Sequence, residues 1–269
     1  MRVSNTEEIV SREQRRQVLA AHVAARGFLR VTEASLELGV SEVTIRGDFS
    51  ALEGAGELVR VHGGAMPRAD REPSLESSIE TASAAKTAIG AAAARLVSSG
   101  QSIYIDAGST AMALAVALVE RHELGDLVVV TSGLTIALAL EPALPRFTVV
   151  VTGGTLRPLQ HSLVNPFAAP MLDSLRLDIA FIGCNGIHPE HGVTNLNLPE
   201  AEIKTRVLRS STRHVLLADA SKLGNTEVAV IAPIAAFDTL VTAGEAPTAL
   251  IAELRARGLS VTLADRLAA

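Results

Sequence analysis

The stretch Val40-Ser41-Glu42-Val43-Thr44-Ile45-Arg46-Gly47-Asp48-Phe49-Ser50-Ala51-Leu52-Glu53 decides how the first sixty residues fold. Val40-Ser41 makes a tight turn, and Ser41 is a good N-cap for a helix running to about Glu53. Ile45, Phe49 and Leu52 fall at i, i+4 and i+7, which puts them on one apolar face. Thr44, Arg46, Gly47 and Ser50 are left for the opposite face. A helix that reads a DNA major groove needs this division: an apolar side against its partner helix, and Arg or short polar groups toward the bases. Upstream, Ser11-Arg12-Glu13-Gln14 matches a capping box, Val18, Leu19 and Val23 keep helical spacing, and Gly27 suits the helix end. Residues 28–31 read as a short strand. Thr32 is the expected cap of a second helix over 33–38, which stops at Gly39. Downstream, Gly54-Ala55-Gly56 breaks the third helix, and Leu58–Val61 is a second strand closed by His62-Gly63-Gly64.

The order helix, strand, helix, turn, helix, strand, Gly-rich loop predicts a winged helix-turn-helix, with the strands 28–31 and 58–61 paired as the wing. Ser41, Glu42, Thr44, Arg46, Gly47 and Ser50 are the candidates for the major groove. Arg60, His62 and Gly63 are the candidates for the phosphate backbone. A small three-helix bundle used for protein contacts fits the same spacing. The run from Val40 to Phe49, with Leu52-Glu53 and then Arg60-Val61-His62-Gly63-Gly64-Ala65, resembles the N-terminal signature of DeoR-type bacterial transcription regulators. Two positions depart from that signature: Gly47 stands where the family usually has a second consecutive Arg, and Phe49 where it usually has Leu.

Composition limits the alternatives. The chain has 269 residues, 48% of them hydrophobic, which is core material for two domains. A lone Cys184 excludes a disulfide scaffold and a multi-cysteine metal site. With 3% aromatics and no Trp, base stacking on single strands is not its chemistry. The net charge is −5, yet residues 11–68 carry eight Arg against seven acids. DNA binding must therefore come from where the Arg stand, not from bulk charge. Arg2 is followed by Glu7 and Glu8 rather than an apolar run, and the apolar stretch 111–119 is too short to span a bilayer. A cytoplasmic protein with no membrane association is expected.

The domain expectation is residues 1–65 for the winged helix, 66–74 for a polar linker with Pro67 and Pro73 at its ends, and 75–269 for a larger body. In the body, strand-like runs at 102–105, 127–131, 147–152, 178–182, 214–218, 240–242 and 260–263 alternate with helical patterns at 87–97, 110–120, 134–140, 167–175, 200–210 and 248–257. Continuous apolar strands separated by helices indicate an α/β fold with a mostly parallel sheet covered on both faces. In such sheets ligands sit beyond the carboxyl ends of the strands. Four loops there are rich in Gly, Ser and Asp: Asp106-Ala107-Gly108-Ser109-Thr110, Gly153-Gly154-Thr155, Gly183-Cys184-Asn185-Gly186 and Asp219-Ala220-Ser221-Lys222. Gly108 followed by Ser109 and Thr110 at a helix start suits a small anion. Of the 24 basic residues 21 are Arg, and the three Lys are Lys86, Lys204 and Lys222. Lysines at strand and helix ends of an Arg-rich chain point to a compact cation there, with plain surface charge as the alternative.

The body resembles the sensor domain of the same DeoR family. The matching stretches are Lys86, Asp106-x-Gly-Ser-Thr, Thr131-Ser132, Gly153-Gly154-Thr155-Leu156-Arg157, 178–186, Glu200-Ala201 with Lys204, and Asp219-x-Ser-Lys222. The resemblance implies a fold of the sugar-phosphate isomerase and CoA transferase-like type, and a phosphorylated sugar or related metabolite as effector. It implies a role for Asp106, Gly108, Ser109, Thr110, Gly153, Gly154 and Lys222 around that effector, with Glu200 and Lys204 nearby. It also implies a homo-oligomeric repressor of carbohydrate-metabolism genes acting on a double-stranded operator, with no cofactor and no catalysis. Asn165 before Pro166 departs from the family's usual Gly.

The rival class is an isomerase-like enzyme carrying a fused helix-turn-helix, for which Asp106 and Glu200 are candidate bases. Cys184 lacks a recognisable His partner and reads as a buried small residue. His188 and His191 suggest no third metal ligand. Glu200 and Lys204, at i, i+4, also suit an ordinary helix-surface pair. The enzyme reading leaves the first sixty residues without a purpose.

Overall fold

Three helices and three short strands build the N-terminal unit: α1 (Arg12–Arg26), β1 (Leu29–Arg30), α2 (Val31–Leu38), α3 (Glu42–Gly54), β2 (Leu58–Val61) and β3 (Gly64–Pro67). The computed structural model describes residues 12–26, 28–61, 63–67 and 72–264, and the chain separates into two units at Arg71/Glu72. The expected cap Ser11, the helix end at Gly27 and the candidate His62 lie outside the described residues. Leu19, Val23, Leu29, Ile45, Phe49, Leu52 and Leu58 form the core of this unit. The predicted apolar face of α3 is therefore the buried one. Ser41 caps α3 as expected, its Oγ accepting the Thr44 N–H at 3.2 Å.

Two local expectations are corrected. α2 starts at Val31, with Arg30 rather than Thr32 as its N-cap, because Val31 is already drawn into the core. The wing is not made from 28–31 and 58–61. β2 pairs antiparallel with β3, Val61 opposite Gly64 and Leu58 opposite Pro67, while β1 adds to the far edge of β3 in the order β1-β3-β2. With Val61 opposite Gly64 the hairpin closes locally, whereas pairing 28–31 with 58–61 would close the long loop 32–57. Met66 and Pro67 thus belong to a strand of the wing, not to the linker.

The second unit contains α4 (Leu75–Glu80), α5 (Ser83–Ala94), β4 (Ser102–Ile105), α6 (Ser109–Glu120), β5 (Leu127–Thr131), α7 (Leu134–Ala139), β6 (Phe147–Val151), β7 (Thr155–Arg157), β8 (Ser162–Val164), α8 (Ala168–Asp173), β9 (Leu177–Gly183), β10 (Gly186–His188), β11 (Gly192–Asn195), α9 (Leu198–Ser210), β12 (Ser211–Leu217), β13 (Ala229–Ala232), β14 (Thr239–Thr242), α10 (Thr248–Ala256) and β15 (Ser260–Leu263). Seven strands form one sheet in the order β15-β14-β12-β9-β4-β5-β6, and each neighbouring pair is parallel. Both faces are buried. Ile103, Ile105, Ile179 and Phe181 pack with Ile89, Leu114 and Leu118 of α5 and α6. Tyr104, Ala180 and Ile182 alternate onto the other face, with Ile203 and Val207 of α9 and Leu254 of α10. This burial on both faces is why the strands read as unbroken apolar runs.

Two smaller antiparallel pieces, β7-β8 and β10-β11-β13, flank the sheet. Strand order reverses beside β4: the chain proceeds to β5 and β6 on one side and returns to β9 on the other. The crevice beyond the carboxyl ends of β4 and β9 is therefore where such a sheet opens to a ligand.

Candidate functional site

Polar groups meet at two places, one in each unit. On the exposed face of α3, Arg46 Nη2 donates to Glu42 Oε2 at 2.6 Å, Ser50 Oγ donates to the Arg46 carbonyl at 2.9 Å, and Arg60 of β2 donates through Nη1 to Ser50 Oγ at 2.5 Å. The Arg60 N–H reaches Glu53 Oε1 at 3.0 Å, so the wing strand is tied to the C-terminal half of α3. Thr44 Oγ1 lies 2.9 Å from Ser41 Oγ at the first turn. A Cβ built on Gly47 meets nothing within 4 Å, and Gly63 is exposed at the wing turn with a φ of 80°. Ser41, Glu42, Thr44, Arg46, Gly47, Ser50 and Arg60 thus share one surface of helix and wing.

The buried side of α3 holds a residue that the pattern does not single out. Asp48, 2% exposed, receives Arg15 Nε at 2.6 Å and Arg16 Nε at 3.0 Å from α1. Burial works against its charge, but the two guanidiniums outweigh burial and hold its carboxyl below the usual range. An acid beside Phe49 on an apolar helix face, with two adjacent Arg two helices earlier, is the signal in the sequence that a clamp is present.

In the second unit a cavity of about 140 Å³ opens where the switch point places it. Gly108, Ser109 and Thr110 line it at the start of α6, with Lys86, Gly183, Asn195, Glu200, Lys204, Asp219 and Lys222 around them. Gly108 has a φ of 109°, a conformation costly for any side chain, and no side chain caps α6. The first N–H groups of that helix therefore have no partner from within it and meet the cavity. Lys86 is buried, and its ammonium donates to the carbonyls of Ser78 and, at 2.7 Å, Thr81. Burial, together with the nearby charge of Lys222, lowers its pKa although Asp219 opposes this. The Lys222 ammonium has no hydrogen bond or ion pair among the described residues, while its backbone N–H donates to the Asp219 carbonyl at 3.1 Å. Asp219 does not neutralise it by contact: one Asp219 oxygen accepts the Ser221 N–H at 3.0 Å.

The acids of the cavity are all held. Lys204 Nζ lies 3.1 Å from Asp106 Oδ2 and donates to Gly183 O and Asn195 Oδ1, each at 3.0 Å. Burial opposes the charge on Lys204, but Asp106 and Glu200 more than offset that and raise its pKa. Glu200 accepts Ser162 Oγ at 2.7 Å and a guanidinium N–H of Arg157; Arg157 also pairs with Glu72. Glu200 and Lys204 are therefore not an exposed pair on one helix. Each is buried and turns to a partner elsewhere in the fold.

Of the expected residues, Gly108, Ser109, Thr110, Glu200, Lys204 and Lys222 line the cavity, and Asp106 lies beneath it against Lys204. Gly153 and Gly154 do not line it. Gly154, at φ 143°, has Val164 O 1.8 Å from where a Cβ would stand, so this loop is shaped by the approach of β8. Glu72, Gln160 and Asn195 line the cavity without having stood out in the sequence, and Arg157 lies behind Glu72 and Glu200. Burial pushes the Cys184 thiol up to about 12, which leaves it unreactive near neutrality. His188 Nδ1 accepts the Glu190 N–H at 3.1 Å, so that nitrogen is not free for a metal.

The DeoR-like helix-turn-helix domain family matches residues 15–68, and the DeoR C terminal sensor domain family matches residues 81–243. The HTH-type transcriptional regulator GolR of Listeria innocua is 34% identical over 88% of this chain and 92% of its own length. The HTH-type transcriptional regulator GlpR of Haloferax volcanii is 32% identical over 86% of this chain and 89% of its own. Among solved structures, ribose 5-phosphate isomerase A from Methanocaldococcus jannaschii overlaps 51% of this chain and 53% of that one, with 20% identity and a TM-score of 0.37. No helix among the described residues is long and apolar enough to cross a membrane. With both of its units matched and relatives aligned over most of its length, this chain belongs to the DeoR family of DNA-binding transcriptional regulators, with an N-terminal helix-turn-helix and a C-terminal sensor domain for a small-molecule effector.

Proposed function

We propose that the chain is a cytoplasmic, homo-oligomeric repressor of carbohydrate-metabolism genes, released from or retained on its operator by a phosphorylated small molecule. The observation that carries the effector reading is where the unpaired donors stand in the cavity. Asp106 is paired with Lys204, and Glu200 and Glu72 share Arg157, while the Lys222 ammonium touches no carboxylate among the described residues and the Lys86 ammonium holds only carbonyls. Two ammoniums that no carboxylate pairs by contact, beside the open N–H groups at the start of α6, are donors that a phosphate group would engage. The remaining lining groups, Asn185, Asn195, Gln160 and Glu200, are hydrogen-bonding groups of the kind that read hydroxyls.

On the DNA side, Arg46 and Ser50 are placed for base edges and Arg60 for phosphate. Their bonds to Glu42 and to each other would be exchanged for bonds to the duplex. One helix-turn-helix buries too little surface for high specificity, which supports paired half-sites and hence an oligomer. The test is a thermal-shift screen of phosphorylated sugars, followed by calorimetry. A ligand at about 100 times its Kd stabilises by about 2.7 kcal/mol. Lys222→Ala should lose most of that affinity while the ligand-free variant still binds duplex DNA. Equal affinity in wild type and Lys222→Ala overturns the placement, and turnover of the ligand would restore the enzyme reading.

A further inference from the structure

The segment that leads from the linker into the sensor unit is itself a wall of the cavity. Glu72, Pro73, Ser78 and Thr81 line it. The contacts that hold this segment come from residues of the cavity or of the β7-β8 hairpin beside it, His161 Nε2 lying 3.0 Å from Glu76 Oε1 among them. Glu72 pairs with Arg157, which also grips Glu200. Gln160 Nε2 donates to the Pro73 carbonyl at 2.6 Å. The Leu75 N–H donates to the Leu159 carbonyl at 2.7 Å. Lys86 gathers the carbonyls of Ser78 and Thr81 at the end of α4. An ammonium has three N–H donors, so two carbonyls leave one for the cavity.

We propose that residues 72–81 form a ligand-sensitive strap: an anion seated between Lys86 and Lys222 ties the strap to the sensor unit, and cavity occupancy reaches the linker by this route. The inference rests on the anion reading above and adds the path by which the site reports. The physical reason is that burial works against the charge on Lys86, with Asp219 supporting that charge and Lys222 opposing it more weakly. An anion between Lys86 and Lys222 offsets that burial and keeps the Lys86 ammonium charged, which sustains its hold on both strap carbonyls. Because coupling is reciprocal, whatever loosens the strap must weaken the anion.

The test is amide hydrogen exchange of the full chain with and without inorganic phosphate, read at the start of α6 and over 72–81. Phosphate should slow exchange at Ser109 to Ala111, and should slow the Leu75, Ser78 and Thr81 amides by roughly tenfold. Protection at α6 with unchanged exchange over 72–81 overturns the strap and leaves the anion site standing. No protection at either place overturns both. Two variants separate the strap from simple charge. Gln160→Ala removes a neutral anchor, and should speed exchange at Leu75 without phosphate and weaken phosphate binding severalfold. Glu72→Gln removes a negative charge near the site. A purely electrostatic account has it bind phosphate more tightly, and the strap account has it bind more weakly with faster Leu75 exchange. Tighter phosphate binding in Glu72→Gln, or unchanged Leu75 exchange in either variant, overturns the proposal.

Discussion

The two units use charge in opposite ways. On α3 and β2 the groups proposed to meet DNA are exposed, and they pair with one another across a surface that water also reaches. In the sensor unit, Asp106, Lys204, Glu200 and Lys86 are buried, and each is fixed by partners that fold and site share. An exposed ion pair contributes little to stability, whereas a buried charge stripped of its partner is costly. Substitutions on the first surface should therefore change binding and leave folding alone. Substitutions in the cavity should change both, and must be chosen so that ligand binding can be told from unfolding.

The largest effect should come from Lys204→Met, which strands Asp106 in the interior. Denaturant unfolding should show a loss of about 3–5 kcal/mol, and adding Asp106→Leu should recover much of it. A loss below about 1 kcal/mol would mean that Asp106 is not the dependent charge described here. Next, Arg46→Ala should weaken specific duplex binding by about 1–3 kcal/mol. Its stability should stay within about 0.5 kcal/mol of wild type. If stability falls by as much as binding, the contrast between the units fails.

The fold was largely legible where burial dictates pattern. The seven strands of the parallel sheet stand out as apolar runs because both of their faces are covered, and three of them, at 102–105, 127–131 and 260–263, both begin and end where the spacing puts them. β7, β8, β10 and β11 are three or four residues long, too short to show alternation. Met66-Pro67 reads as linker because Pro is usually a stop, yet Pro67 sits at the end of β3, where a missing donor costs little. In the cavity, the helix start at Gly108 and the lysine positions were readable because their chemistry is local. The partners of those lysines were not. The i, i+4 rule sees a single helix, while Lys204 reaches Asp106 across 98 positions of sequence, and Glu72 joins Glu200 only through Arg157 on a third element.

Asp48 sharpens the comparison from the other side, being a buried acid within the DNA-binding unit. Its pKa is held down by Arg15 and Arg16 against burial, so its contribution is present above the unfolded value of about 3.9 and is lost as pH falls through the lower folded value. Exchange at Ile45 and Phe49 should rise in wild type between about pH 4 and pH 2, beyond the change in Asp48→Asn, which lacks this titration. Identical acid sensitivity in the two proteins would remove Asp48 from the account. The smallest effect belongs to Gly47. A Cβ there meets open space, so Gly47→Ala should stabilise α3 by about 0.8–1.0 kcal/mol without altering DNA binding. Gly47→Arg should add a steeper salt dependence, by about 0.9 in log K against log[salt]. Loss of duplex binding in Gly47→Ala would show instead that the bare backbone is needed against DNA.

The central claim is that an anion held by Lys222 and Lys86 in one unit governs what Arg46 and Arg60 do in the other. Its direct test takes a duplex selected from a random library on the full chain, and titrates it by fluorescence anisotropy with and without the phosphorylated sugar that stabilises the protein most. The account predicts that the sugar shifts duplex affinity of the wild type by about 5- to 150-fold, and that Lys222→Ala binds the duplex normally but no longer responds. An equal response of both proteins to the same sugar concentrations would contradict it.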